Sequence, residues 1–134
     1  MITINWLALA VAAGASFALG ALWYSPVAFG KAWMEAIGLD QQQLQNPAGP
    51  MAASAISCLL TALVMGALID ALAINTLTSG LALGAILGVG LVASAMLSDY
   101  LFCGWSIKLW AIQAGYRAGY CLLIGAIVGG WPTG

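Results

Sequence analysis

Three ionisable residues, Asp70, Asp99 and Arg117, lie inside long apolar stretches of this 134-residue sequence. A charged side chain is costly inside a lipid bilayer, so such residues are usually paired or functional. Asp99 and Arg117 fall about one helical turn from the facing ends of two consecutive apolar stretches, which predicts an intramembrane ion pair. The pair either neutralises two charges and fixes helix rotation, or it gates the protein or binds a ligand.

Asp70 lies near the opposite end of its apolar stretch, where no basic side chain shares its side of the membrane. Asn5 is one of the few polar residues that could reach it. This arrangement is compatible with a protonatable or cation-binding site. The alternative is a carboxylate that extends into water at the outer surface.

The composition indicates that the solvent around these residues is lipid. The chain is 63% hydrophobic and 5% charged, whereas about 25% of the residues in a soluble domain are charged. The lipid bilayer is therefore the first expected partner. A nucleic-acid partner is excluded because the three basic residues cannot form the basic stripe that phosphates require.

The sequence also lacks the residue types of the common catalytic and metal sites. It has no histidine, and Cys58, Cys103 and Cys121 are widely spaced without a CxxC motif. A zinc site, a histidine-ligated haem and a histidine-based catalytic dyad are thereby excluded. We expect no enzyme activity, no cofactor and no metal, and three reduced cysteines that serve packing.

Four apolar stretches are long enough to cross a bilayer as helices. They cover residues of about 6–24, 51–74, 81–102 and 114–131. The sequence therefore predicts an all-α membrane protein with four transmembrane helices in a single domain, residues 1–134. Within residues 27–38, Phe29, Trp33 and Ile37 recur at i, i+4 and i+8, which predicts a short amphipathic helix in the interface.

The positive charges predict the orientation of the four spans. All three basic residues, Lys31, Lys108 and Arg117, fall on the same side of the membrane in this arrangement. The positive-inside rule then places that side and the polar loop, residues 39–50, in the cytoplasm, with both termini outside. Aromatic residues near the predicted boundaries are expected to be interfacial anchors, namely Trp23, Tyr24, Trp33, Trp105 and Trp110.

Gly80, Gly84 and Gly88 form a GxxxGxxxG pattern on the third span. Small residues at this spacing let helix backbones approach closely in lipid. The pattern predicts helix packing, either within the chain or between chains. At about 100° per residue, Asp99 falls within about 20° of Gly88 and is expected on the same packed face.

Two motifs carry further information. A K-x-W-x4-G pattern occurs at Lys31 and again at Lys108. It indicates either two repeated helix pairs or an independent preference of Trp and Lys for the membrane interface. The stretch GALWYSPVAFGKAW, residues 20–33, with Asn5-Trp6 before it and AGY at residues 114–116, resembles the bacterial "domain of unknown function 1761" family. The resemblance implies a small bacterial membrane protein of four helices, in the cytoplasmic (inner) membrane, and implies no activity.

Two kinds of function fit these features. The first is a helix-packing, self-associating or accessory subunit, in a homo-oligomer or a larger membrane complex, which accounts for the glycine pattern and the short loops. The alternative is a small oligomeric transporter or channel that uses Asp70 and Asp99. Whether these two carboxylates face a water-filled cavity or dry packing distinguishes the two hypotheses.

Overall fold

The computed structural model describes residues 4–25, 27–38 and 48–131 and is helical throughout its regular structure. The helices are α1 (Trp6–Trp23), α2 (Gly30–Ile37), α3 (Ala48–Ala71), α4 (Leu77–Phe102) and α5 (Ile107–Gly129). All but α2 are long and apolar enough to span a membrane. The predicted all-α fold with four spans is therefore confirmed. Most of the predicted polar loop, residues 39–47, lies outside the described residues.

Polar side chains set the N-terminal ends of three long helices. Asn5 accepts a hydrogen bond from the backbone N–H of Ala8 at the start of α1. Thr76 and Ser106 cap α4 and α5 in the same way. Their hydroxyl oxygens accept hydrogen bonds from the backbone N–H groups of Ser79 and Leu109, respectively. These hydroxyl residues extend the third and fourth spans to earlier starts than the apolar pattern predicted, by four and seven residues respectively.

The amphipathic helix α2 is present after α1, as predicted, and ends at Gly38. This glycine has a φ of 75°, a left-handed conformation that commonly terminates a helix. The second copy of the K-x-W-x4-G motif has a different structure, because Lys108 and Trp110 lie in the first turn of α5 and Gly115 lies within that helix. The two copies of the motif therefore do not adopt the same local structure.

Helix α5 lies at the centre of the bundle and packs against α1, α3 and α4. The core of the bundle forms where α1, α3 and α5 meet, around the fully buried side chains of Ala12, Cys58, Met65 and Ile124. Helix α4 packs chiefly on α5 and is otherwise peripheral. Many large apolar side chains point outward, which is the arrangement expected for a bundle surrounded by lipid.

The middle of α4 is a π-helical segment, Ile86–Ala93, with α-helix on both sides. A π segment has more residues per turn than an α-helix, so it rotates the residues that follow it relative to those before it. Trp110 of α5 donates its indole N–H to the carbonyl of Ala93 at the end of this segment, at 2.9 Å. The π segment therefore changes which residues of α4 share a face.

Candidate functional site

Three glycines of α4, namely Gly80, Gly84 and Gly88, lie directly against the backbone of α5. A Cβ added at Gly88 would lie 2.8 Å from the Cα of Ala118, and one added at Gly84 would lie 2.8 Å from the Cα of Leu122. A Cβ added at Gly80 would overlap the carbonyl of Gly125. The glycine pattern is thus occupied by packing within the chain, which the sequence had left open.

The structure does not bring Asp99 and Arg117 together. Gly88 of α4 lies level with Ala118 of α5. Asp99 follows Gly88 by eleven residues along α4, whereas Arg117 is the residue next to Ala118 on α5. At about 1.5 Å per residue, roughly 15 Å separates the two residues along the helix axes. The prediction of a shared level was wrong because α5 begins at Ile107, so Arg117 is not in its first turn.

Asp99 is also exposed rather than packed against α5. The expectation that it shares a face with Gly88 assumed 100° per residue throughout the helix. The π segment includes Gly88 and ends at Ala93, so most of it lies between the two residues. One additional residue in a turn rotates the following part of α4 by about 100°. Asp99 therefore points away from the glycine face.

Arg117 has neighbours of a different kind, and its closest side-chain contacts are to tyrosines of α5. Its Nη1 donates a hydrogen bond to the hydroxyl of Tyr120 at 3.0 Å. Its guanidinium carbon lies 5.7 Å from the centre of the Tyr120 ring and 5.9 Å from that of Tyr116, within reach of a weak cation–π attraction. Among the described residues, the ion pair is formed elsewhere, by Lys108 and Glu35 at 3.7 Å on the exposed surface.

Tyr116 connects three helices near Arg117. Its hydroxyl donates to the carbonyl of Ser16 on α1 at 3.0 Å and lies 3.6 Å from the Sγ of Cys58 on α3. Gly20 makes room for it, since a Cβ there would lie 2.7 Å from the Tyr116 hydroxyl oxygen. The sequence showed Gly20 and Tyr116 only as motif residues and gave no signal that they touch.

A cleft of about 450 Å³ opens beside these residues at the end of the bundle where α1 finishes. Its walls are formed by the last turns of α1, the start of α3, Trp33 of α2, and Gln113, Tyr116 and Arg117 of α5. Among the described residues that line it, Arg117 is the one that carries a charge. The indole N–H of Trp33 is buried and has no hydrogen-bond partner among the described residues.

Tyr24 lines the same cleft directly after the last residue of α1. Burial raises its pKa to about 12, although the positive charge of Arg117 acts in the opposite direction. Its phenol is therefore neutral at physiological pH. It supplies a polar group to the cleft but no negative charge to balance Arg117.

The other proposed site residues lie apart from the cleft. Asp70 is exposed near the end of α3, and the side chain of Asn5 caps α1. Neither Asp70 nor Asp99 lines the cleft. The sequence thus predicted a cation site at positions that the structure places on the surface of the bundle.

Four of the five predicted aromatic anchors also pack inside the protein. Trp23 donates its indole N–H to the carbonyl of Ile112 at 2.9 Å. Tyr24 stacks edge-on with Trp33, at 5.2 Å between ring centres. Trp110 makes the hydrogen bond to α4 described above, whereas Trp105 is about half exposed. These residues tie α1, α2 and α4 to α5, whether or not they also anchor the protein in the interface.

Comparison with known proteins gives one match. The model of a family described as "Protein of unknown function (DUF1761)" matches residues 7–129, nearly the whole chain. No curated protein and no solved structure matches the sequence. The family suggested by the GALWYSPVAFGKAW motif is confirmed. The chain, with four helices long and apolar enough to span a membrane, belongs to the DUF1761 family of proteins of unknown function.

Proposed function

We propose that this protein is a non-enzymatic, helix-packing membrane subunit that associates with a second copy of itself through the outer face of α4. The observation that carries the proposal is the set of small residues on that face. Gly90, Ser94 and Ser98 follow one another at intervals of four and are all exposed. A Cβ added at Gly90 would meet no atom within 4 Å.

The chemistry of this face supports association in lipid. Small residues allow a second backbone to approach closely, and serine hydroxyls form hydrogen bonds between membrane helices. Within the part of the chain that the structure describes, the hydroxyls of Ser94 and Ser98 have no hydrogen-bond partner. A hydroxyl left unpaired in hydrocarbon is unfavourable, so a neighbouring helix would stabilise it.

The position of α4 in the bundle also supports association through its outer face. Its inner face, with Gly80, Gly84 and Gly88, is already packed on α5, and it has little contact with the rest of the bundle. A helix with small residues on two opposite faces can pack between two neighbours. A second copy supplies an identical face for a symmetric contact. We place this assembly in the bacterial inner membrane, with both termini outside.

The test is the oligomeric state of the purified protein, by light scattering in mild detergent and by energy transfer between labelled copies in vesicles. Ser94→Leu should weaken association, while Ala53→Leu, the same enlargement on the exposed face of α3, should not. In a cysteine-free background, a cysteine at Ser94 should cross-link two copies and one at Ala53 should not. A protein that stays monomeric at all concentrations, without cross-links, would contradict self-association.

A small oligomeric transporter or channel that uses Asp70 and Asp99 has less support. Both carboxylates lie on the surface of the bundle and neither faces the cleft. Flux assays in vesicles with Asp70→Asn and Asp99→Asn variants address this alternative directly. Loss of a measurable ion flux in either variant would favour transport over packing.

A further inference from the structure

The cleft beside Arg117 combines a cation with apolar walls. Its volume of about 450 Å³ is in the range of small-molecule sites, which usually have apolar linings with a few polar groups. Phe17, Met51 and Trp33 supply large apolar surfaces, and Arg117 supplies the charge. Such a lining suits a molecule with an anionic group and an apolar portion.

Most of the hydrogen-bonding capacity of Arg117 is unused. A guanidinium carries five N–H donors, and the structure assigns it one side-chain hydrogen bond, to Tyr120. Among the described residues it forms no ion pair. The neutral rings of Tyr116 and Tyr120 attract the cation but cannot neutralise it. A half-buried arginine of this kind favours a planar or tetrahedral oxyanion that accepts two hydrogen bonds.

The depth of Arg117 indicates where that anion comes from. The hydrogen bond from Trp23 to the carbonyl of Ile112 places the end of α1 level with Ile112. Arg117 is five residues further along α5 and therefore about 7.5 Å deeper. A long arginine side chain extends toward the interface, so its guanidinium can meet a phosphate in the headgroup region beyond the end of α1. Basic pockets between membrane helices are known to bind such headgroups.

We propose that this cleft binds the phosphate of an anionic lipid headgroup. The guanidinium of Arg117 donates hydrogen bonds to the phosphate, which serves as its counter-ion. The apolar walls contact the glycerol and the first carbons of the acyl chains. The site is separate from the outer face of α4, so it does not depend on the proposed self-association.

The experiment measures lipid retention by native mass spectrometry of the full-length protein, with phosphatidylglycerol and phosphatidylcholine offered in turn. The unmodified protein should retain phosphatidylglycerol at least about tenfold better. Arg117→Gln should remove that preference, since a charge-assisted hydrogen bond typically changes affinity by about tenfold or more. Lys108→Gln is the matched control, because it removes the same charge from an exposed position outside the cleft.

Ser54→Phe provides a second variant that keeps Arg117 but reduces the space in the cleft, and it should also weaken retention. Circular dichroism and thermal unfolding report whether each variant is folded. Equal losses in Arg117→Gln and Lys108→Gln would overturn the proposal, because they indicate general surface attraction. A melting temperature raised by inorganic phosphate alone, with no preference for phosphatidylglycerol, would overturn the lipid assignment and identify the anion as free phosphate.

Discussion

The contact between α4 and α5 depends on the absence of a side chain at Gly84, and Gly84→Ala tests it with the smallest possible change. The added methyl group would lie 2.8 Å from the Cα of Leu122 and closer still to the carbonyl oxygen of Cys121. Both are backbone atoms, which cannot rotate away. The helices must therefore separate, and overpacking of this kind costs about 1–3 kcal/mol.

A second effect of the substitution must be subtracted. Alanine is favoured over glycine within a helix by about 0.8–1.0 kcal/mol, which partly masks the packing cost. Gly14→Ala is the matched control, since Gly14 lies within α1 and an added Cβ there meets no atom within 4 Å. Both variants share the gain in helix propensity. Their difference in unfolding free energy isolates the packing cost and should be about 1–3 kcal/mol.

Unfolding is followed by circular dichroism while a denaturing detergent is titrated into micelles of a mild one, after refolding has been shown to be reversible. Gly84→Ala should unfold at a lower fraction of denaturing detergent than the parent, and Gly14→Ala at the same fraction or a higher one. If the two variants differ by less than about 0.5 kcal/mol, a margin within the usual error of additivity, the close contact between α4 and α5 does not exist.

Three further predictions concern other contacts. Gly20→Ala should lower the melting temperature because the new methyl group meets the Tyr116 hydroxyl, and adding Tyr116→Phe, which removes that oxygen, should restore part of the loss in a double-mutant cycle. Asp99→Asn and Arg117→Gln should lower stability additively, within about 0.5 kcal/mol, since they share no partner; a larger coupling would mean that they touch. A cysteine at Gln42 in a cysteine-free background should resist impermeant thiol reagents in intact cells, whereas ready labelling would reverse the orientation.

The helices and their number follow from the sequence because lipid imposes a simple requirement. Each span needs roughly 20 apolar residues with internally satisfied backbone groups, so composition and length suffice to find it. The N-terminal ends of the helices were less predictable from the sequence. Thr76 and Ser106 look like turn residues in the sequence, but their side chains cap α4 and α5 and let both helices begin earlier.

The glycine face of α4 was also predictable, and its partner was not. Spacing shows that Gly80, Gly84 and Gly88 lie on one side of a helix, since all three precede most of the π segment. The same argument from residue spacing failed for Asp99, because Asp99 follows the π segment. The sequence carries no recognised signal for a π segment, so the rotation of the second half of α4 became visible only in the structure.

By itself the sequence determined the class of the protein, its four spans, the amphipathic helix after the first span and its family. Those properties depend on local composition and on motifs that neighbouring residues form. Only the tertiary structure shows that Arg117 lies in a cleft and does not pair with Asp99. It also shows that Tyr116 contacts Ser16, Cys58 and Gly20. These contacts join residues up to one hundred positions apart. They depend on the register between helices, which hydropathy does not encode.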